Sequence, residues 1–317
     1  MRMVGFINPN LGELAARLAA SDEVEFADTR SLEELREKAA GAEAALVSNS
    51  TYNEAVAEIL NAAAGLRWIQ TTSIGFEALI AHPPRRGIIV TNPAGLKAPT
   101  VAEHAMLLLL AVLRNLPGAM DGQRSSRWAS RDLAPTVRSL AGKRVICLGY
   151  GAIGRSLAAK LAAFDAEVIA VTRSGKGPPP ATVILPLGEL DRVLPTADAV
   201  LLALPLADGT RHIIDAARLG RMKPDAVIVN VGRGELIDEA ALARALEAGK
   251  LGGAGLDVFA KEPLAETSPL WRCPRTVLTP HLGGLGGDGD RLLAELINAN
   301  AARLKRGEPL VNVVWPT

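Results

Sequence analysis

The chain has 317 residues, beyond the roughly 250–300 at which a single core stops growing, so two domains are expected. Hydrophobic residues make up 49%, charged residues 22%, and the formal net charge is +1, which describes an ordinary globular protein. That near-neutral balance leaves no electrostatic footprint for nucleic acid or for an anionic membrane, and neither is expected as a partner. The longest apolar run, "AMLLLLAVL" at 105–113, falls far short of the roughly 20 residues that a membrane span needs.

In chain order, short apolar runs alternate with Ala- and Leu-rich helical patterns. "MVGFIN" precedes "LGELAARLAA", "AALVSN" precedes "NEAVAEILNAA", and "LRWIQTT" and "GIIVTN" follow. From Pro99, "PTVAEHAMLLLLAVLRNL" predicts one long helix closed by Pro117 and Gly118. The polar stretch after it, "DGQRSSRWASRDLAPTVRSLAGK", predicts irregular structure. A second series then begins with the strand "RVICLGYG" and the helix "GRSLAAKLAAFD". "EVIAVTR", "AVLLALPL", "AVIVNVG", "GAGLDVF" and "TVLTPH" are its further strands. "SGKGPPPATV", residues 174–183, reads as a loop, and the last segment as a helix followed by a strand. The alternation predicts an α/β protein with two parallel sheets wrapped by helices, joined by the helix from Pro99, with the C-terminal helix returning to the first domain.

The strand "VICLG" runs into Gly149-Tyr150-Gly151-Ala152-Ile153-Gly154 and then a helix. This is G-x-G-x-x-G in the context that gives it meaning. The first glycine makes the turn, the second admits a pyrophosphate to the backbone, and the third lets helix and strand close up. The amides of Ala152 and Ile153 open the helix, where free N–H groups and the dipole favour phosphate. The next strand ends Val171-Thr172-Arg173-Ser174, with Lys176 nearby, where an acidic residue would otherwise bind the adenosine ribose. Its absence, and the donors present instead, favour NADP over NAD. The alternative is a solvated Arg173 with NAD held loosely.

Together with this motif, "NPAGLKAPTVAEHAMLLLLAVLR", "VNVGRGELIDEAAL", "GLDVFAKEPL" and "LTPHLGG" resemble the D-isomer-specific 2-hydroxyacid dehydrogenase family, over nearly the whole chain. The resemblance implies two Rossmann-like domains (doubly wound parallel sheets) with an interdomain active-site cleft. Residues 1–98 plus 285–317 would form the substrate domain and 99–284 the dinucleotide-binding domain. It implies hydride transfer between NAD(P) and a small 2-keto or D-2-hydroxy acid, in the style of glyoxylate/hydroxypyruvate reductases. A phosphoglycerate dehydrogenase-like enzyme and a dinucleotide-sensing corepressor-like protein are the alternatives.

The implied catalytic set is Arg233, Glu262 and His281. His281 is the general acid and base, a role for which the imidazole side chain suits work near neutrality. Glu262 fixes its ring, and Arg233 offers a planar fork for the substrate carboxylate and carbonyl. Ser73, Ile74 and Gly75 would supply backbone donors to the substrate, with residues 49–52 and Phe76 along the other wall. Ser73 and Glu77 depart from the family's usual G-x-G-x-D. The implied cofactor contacts add Thr100, Leu204, Pro205, Thr210, Val231, Gly232, Asp257 (at the nicotinamide carboxamide or a nearby group) and Gly283. The glycine-rich "LGGLGGDGD" is a further departure, expected to give room or mobility beside the nicotinamide.

Four scattered histidines, His82, His104, His212 and His281, show no metal spacing, and none is assigned a metal. His104 is expected to be structural. Two cysteines, Cys147 and Cys273, make no disulfide framework, and the N-terminus "MRMVGFINPN" has no signal-peptide pattern. A reducing cytoplasm is therefore expected, and a homodimer paired through the nucleotide domain.

Overall fold

The computed structural model describes residues 1–75, 77–286 and 288–315; Phe76, expected on the substrate wall, lies outside them. The chain divides into two compact units, 1–97 with 286–317, and 98–285. Each is built on one sheet.

In the first unit, β1 (Arg2–Phe6), β2 (Glu25–Asp28), β3 (Ala44–Val47), β4 (Trp68–Thr71) and β5 (Ile89–Thr91) run parallel. The order is β13-β5-β4-β3-β1-β2 once β13 (Val313–Trp315) is added at one edge. Alternation within the strands sends side chains to two cores. Val4, Ala45, Val47, Ile69 and Val90 pack on one face. Met3, Ala44, Leu46 and Trp68 pack on the other, against Leu14 and Leu18 of the helix Gly12–Ala19 and against Leu293, Ile297 and Ala301 of the helix Gly289–Arg306.

The second unit carries β6 (Arg144–Leu148), β7 (Glu167–Thr172), β8 (Val183–Pro186), β9 (Ala199–Leu202), β10 (Val227–Asn230), β11 (Gly253–Leu256) and β12 (Thr276–Leu278). All seven are parallel, in the order β12-β11-β10-β9-β6-β7-β8. The neighbours of β6 are β7 on one side and β9 on the other, so the chain reverses its direction of winding at β6. That is the doubly wound topology in which ligands bind beyond the carboxyl ends of the strands. β9 and β10 are buried throughout, as strands covered on both faces must be. Val145 and Cys147 face the helices Ala98–Leu113 and Ala152–Ala163, while Ile146 and Leu148 face the opposite core. Burial pushes the Cys147 thiol up to about 12, so it is an inert core residue.

Three local expectations are corrected. The apolar helix ends at Leu113, and a second helix, Leu116–Arg124, leaves it at 67°. Pro117 does not stop a helix here. It sits in the first turn of the new one, where its missing N–H costs nothing. Asn115, at φ 49°, caps that turn, its Oδ1 accepting from Gly118 N at 3.3 Å. The polar stretch is therefore partly helical, with a short helix at Ser130–Leu133 as well. The loop 174–183 gives way to an edge strand, β8, which pairs with β7 from Val183 onward. β13 (Val313–Trp315) runs antiparallel to β5 and closes the other sheet. Among the described residues, no single helix is long and apolar enough to cross a membrane.

Candidate active site

The glycine motif lies where β6 ends and the helix Ala152–Ala163 begins. Gly149 has φ +97°, and a Cβ there would lie 2.8 Å from the backbone of Ala203. At Gly154 a Cβ would come within 2.1 Å of Gly149 O, so only glycine lets the turn close on the helix. Gly151, by contrast, is exposed, and a Cβ on it would meet nothing within 4 Å. It has no side-chain cap. Open space, bare backbone and the first amides of a twelve-residue helix fit a pyrophosphate.

Thr172 ends β7 and its Oγ1 accepts from Gly175 N at 2.8 Å, and Arg173 and Ser174 are exposed just beyond it. Leu204 is buried and Pro205 exposed after β9. Thr210 Oγ1 donates to Pro205 O at 2.9 Å and accepts from Ala207 N, tying down the loop that follows. Val231 packs in the core behind Gly232, and Thr100 is half-buried in the first turn of the Ala98–Leu113 helix.

Arg233, Glu262 and His281 follow β10, β11 and β12 respectively. The buried Asn230 shapes the first of these segments: its Oδ1 accepts from Gly232 N at 3.0 Å and its Nδ2 donates to Arg233 O at 2.8 Å. Arg233 is half-buried, with Nη1 donating to Gly232 O at 2.8 Å. Glu262 Oε1 accepts from Phe259 N at 3.0 Å, which turns Oε2 onto His281 Nδ1 at 2.8 Å. A proton on Nδ1 donated to the carboxylate leaves Nε2 as the nitrogen that exchanges protons with a ligand. Beside the pair is a cavity of about 680 Å³, lined also by Phe259, Leu264, Trp271 and Leu278.

Asp257, expected to hold the nicotinamide carboxamide or a nearby group, directly follows β11. It is 2% exposed, and its carboxylate accepts from Leu282 N, Gly283 N and Thr279 Oγ1, at 2.8, 2.8 and 2.6 Å. In this structure its work is to hold the 279–283 segment. Gly283 is correspondingly tight, since a Cβ would lie 2.8 Å from Asp257 Oδ2, so this first glycine after His281 gives no extra room. Thr279, Asn230 and Glu239 were given no role from the sequence, and His104 only a structural one. The partners of His104, Thr279 and Glu239 are remote in the chain, and no spacing rule marks them.

In the first unit, Thr71 Oγ1 donates to Ser73 O, Asn92 Nδ2 to Ile74 O and Ser73 Oγ to Gly75 O, at 2.7, 2.9 and 3.0 Å. The three carbonyls are thus held, and none of the three amides donates to another described residue. Asn49 accepts from Ala78 N and donates to Glu77 Oε2, at 3.0 and 3.3 Å. Tyr52, expected along the substrate wall, is a core residue. It is buried, its OH donates to His82 O, and burial pushes its pKa up to about 12.

Residues 106–283 match the family described as "D-isomer specific 2-hydroxyacid dehydrogenase, NAD binding domain". The glyoxylate reductase of Pyrococcus furiosus is 34% identical over 79% of this chain and 76% of its own length. The D-3-phosphoglycerate dehydrogenase of Mycobacterium bovis is 36% identical over 84% of this chain, which spans half the length of that relative. A D-isomer specific 2-hydroxyacid dehydrogenase from Xanthobacter autotrophicus, solved with NADPH and MES, superposes with a TM-score of 0.82 at 27% identity, over 99% of this chain and 98% of that one. With two parallel α/β sheets, a glycine turn shaped for a dinucleotide and this match, the chain belongs to the D-isomer specific 2-hydroxyacid dehydrogenases, NAD(P)-dependent enzymes that act on the CH–OH group of their donors.

Proposed function

We propose that this chain reduces small 2-keto acids of the glyoxylate and hydroxypyruvate type to D-2-hydroxy acids, with NADPH as its preferred reductant. The observation that carries the reading is the His281–Glu262 pair, 2.8 Å apart beyond the strand ends of a dinucleotide unit. The similarity to a glyoxylate reductase supports the substrate class.

Gly149 and Gly154 shape the turn that would set the dinucleotide pyrophosphate on Gly151 and the first amides of the Ala152–Ala163 helix, and Arg173 and Ser174 would take the 2′-phosphate. When bound, the dinucleotide supplies a hydride to the carbonyl carbon. The protein supplies the rest. Arg233 grips the substrate carboxylate and polarises the carbonyl through its planar fork. His281 gives the proton on Nε2 to the carbonyl oxygen as the hydride arrives, and takes it back in the oxidative direction. Glu262 keeps the ring in register and stabilises the imidazolium from which that proton leaves. Ser73, Ile74 and Gly75 are assigned to the substrate carboxylate by family resemblance. The same reading carries a homodimer paired through residues 98–285, on which Leu107, Leu116 and Trp128 are exposed, and a cytoplasmic location.

The test is oxidation of NADPH and NADH by the purified protein with glyoxylate, hydroxypyruvate, pyruvate and phenylpyruvate. His281→Ala should lower kcat by about 100-fold or more, the usual weight of a positioned acid. Arg173→Ser should raise KM for NADPH and leave that for NADH nearly unchanged. An NADH preference in the parent protein overturns the cofactor assignment alone. Tight dinucleotide binding with no turnover of any acid overturns the enzyme reading in favour of a dinucleotide sensor.

A further inference from the structure

We infer that His104 and Thr279 are positioning residues that fix the backbone of His281 through the buried Asp257 carboxylate. The inference rests on the reading of His281 as proton donor.

His281 has φ +56°, in the left-handed region that a side-chain-bearing residue enters only when its surroundings insist on it. The surroundings here are specific. His281 N donates to Asp257 O at 2.9 Å and to Thr279 O at 3.0 Å. The next two amides, of Leu282 and Gly283, both donate to the Asp257 carboxylate, one to each oxygen. Asp257, the residue after β11, therefore gathers three consecutive amides of the segment that carries His281, the first on its main-chain carbonyl and the next two on its carboxylate.

The carboxylate is itself fixed from the far side. Thr279 Oγ1 donates its one proton to Asp257 Oδ1 at 2.6 Å. The oxygen of that hydroxyl lies 2.9 Å from His104 Nε2, which is also 3.1 Å from Asp257 Oδ1. The hydroxyl has already given its proton, so the ring must be the donor and His104 carries hydrogen on Nε2. The aliphatic face of the Ala98–Leu113 helix packs on β10 and β11, so His104 is mounted on a buried, rigid element.

The ring of His281 is thus held through Glu262, and its backbone through Asp257, Thr279 and His104. If the second hold is lost, the left-handed residue relaxes and Nε2 moves with it. The ring partner Glu262 does not prevent this, because it touches only Nδ1. A displacement of about 1 Å in a catalytic group can cost on the order of 100-fold in rate.

The experiment compares His104→Leu, His104→Gln, Thr279→Val and His281→Ala, with glyoxylate and hydroxypyruvate as substrates. It reads kcat, KM, dinucleotide Kd, Tm and the isotope effect with reduced dinucleotide deuterated at the transferred position. Expected is a fall of roughly tenfold or more in kcat for His104→Leu and Thr279→Val. KM and dinucleotide Kd should stay within about twofold, the isotope effect should rise as chemistry becomes limiting, and His104→Gln should recover most of the rate because its amide restores the donor. Parent-like kcat in both His104→Leu and Thr279→Val overturns the inference. So does a joint loss of kcat, dinucleotide binding and Tm that His104→Gln fails to rescue. If His281→Ala itself turns over, the proton-donor reading falls and takes this inference with it. An inactive His281→Ala beside an unimpaired His104→Leu removes this inference only.

Discussion

Glu262 serves two partners at once, the Phe259 amide and the His281 ring, and its neighbour Glu239 holds the next amide, that of Ala260, at 2.6 Å. Burial raises the Glu239 pKa, and the nearby Glu235 and Glu262 charges raise it further. A carboxyl whose folded pKa lies above its unfolded one stabilises the fold below the unfolded value, and that contribution is lost as pH rises through the folded value. At neutral pH the ionised Glu239 is therefore a cost. Glu239→Gln keeps the acceptor for Ala260 N and removes the charge. Its urea midpoint should be higher than the parent's at about pH 7.5, and the difference should vanish near pH 4. A lower midpoint at the higher pH would show that the charge itself is needed there. Residue identity was legible where the chemistry needs a type: Arg233, Glu262 and His281 stand out by their motifs. The partners of Asp257 in the 279–283 segment were not legible, because a carboxylate's hydrogen bonds are invisible in its sequence neighbours.

At the scale of elements, the break between Ala98–Leu113 and Leu116–Arg124 is the instructive case. Proline followed by glycine was read as a terminator, yet proline is equally at home in a first turn. What decides is the residue before the new helix. Asn115 adopts φ 49° and offers its side chain both to Gly118 N and, through Nδ2, to Thr136 Oγ1 at 2.9 Å. Asn115→Ala should lower stability by about 1–2 kcal/mol in guanidinium denaturation, and Asn115→Gly by clearly less, because glycine accepts the backbone angle and is a fair cap. Equal losses would shift the weight to the Thr136 contact. The long apolar helix owes its composition to its setting: ten of its sixteen residues are buried, eight of them in a core of its own unit. β8 escaped notice for the converse reason. It is four residues at a sheet edge, among prolines and glycines, and only pairing with β7 makes it a strand.

For the whole molecule, the relevant fact is that each unit has its own sheet and its own pair of cores. Two such units need not unfold together, so one melting temperature need not describe both. The glycine turn and the residues around Arg173 lie in 98–285. A dinucleotide at about 100 times its Kd stabilises what it binds by roughly 2.7 kcal/mol. Saturating dinucleotide should therefore raise the melting transition of 98–285, more with NADPH than with NADH at equal concentration, and calorimetry should show the other transition shifting less. No shift with either dinucleotide would contradict the cofactor role of the glycine turn.

By itself the sequence determined the α/β class, the repeated strand–helix pattern, the glycine turn and the three residues proposed for catalysis. Those features depend on local chemistry: periodicity for the strands, a missing Cβ for the turn, and functional groups no other side chain replaces. Only the tertiary structure decided how the functional groups are held. The order β12-β11-β10-β9-β6-β7-β8 lines up the ends of strands far apart in the chain. That alignment sets Glu262 on His281, and His104, 175 residues away from Thr279, against its hydroxyl. The left-handed backbone of His281 is likewise a tertiary product, since no local preference selects it and only the surrounding hydrogen bonds offset a strain on the order of 1–3 kcal/mol.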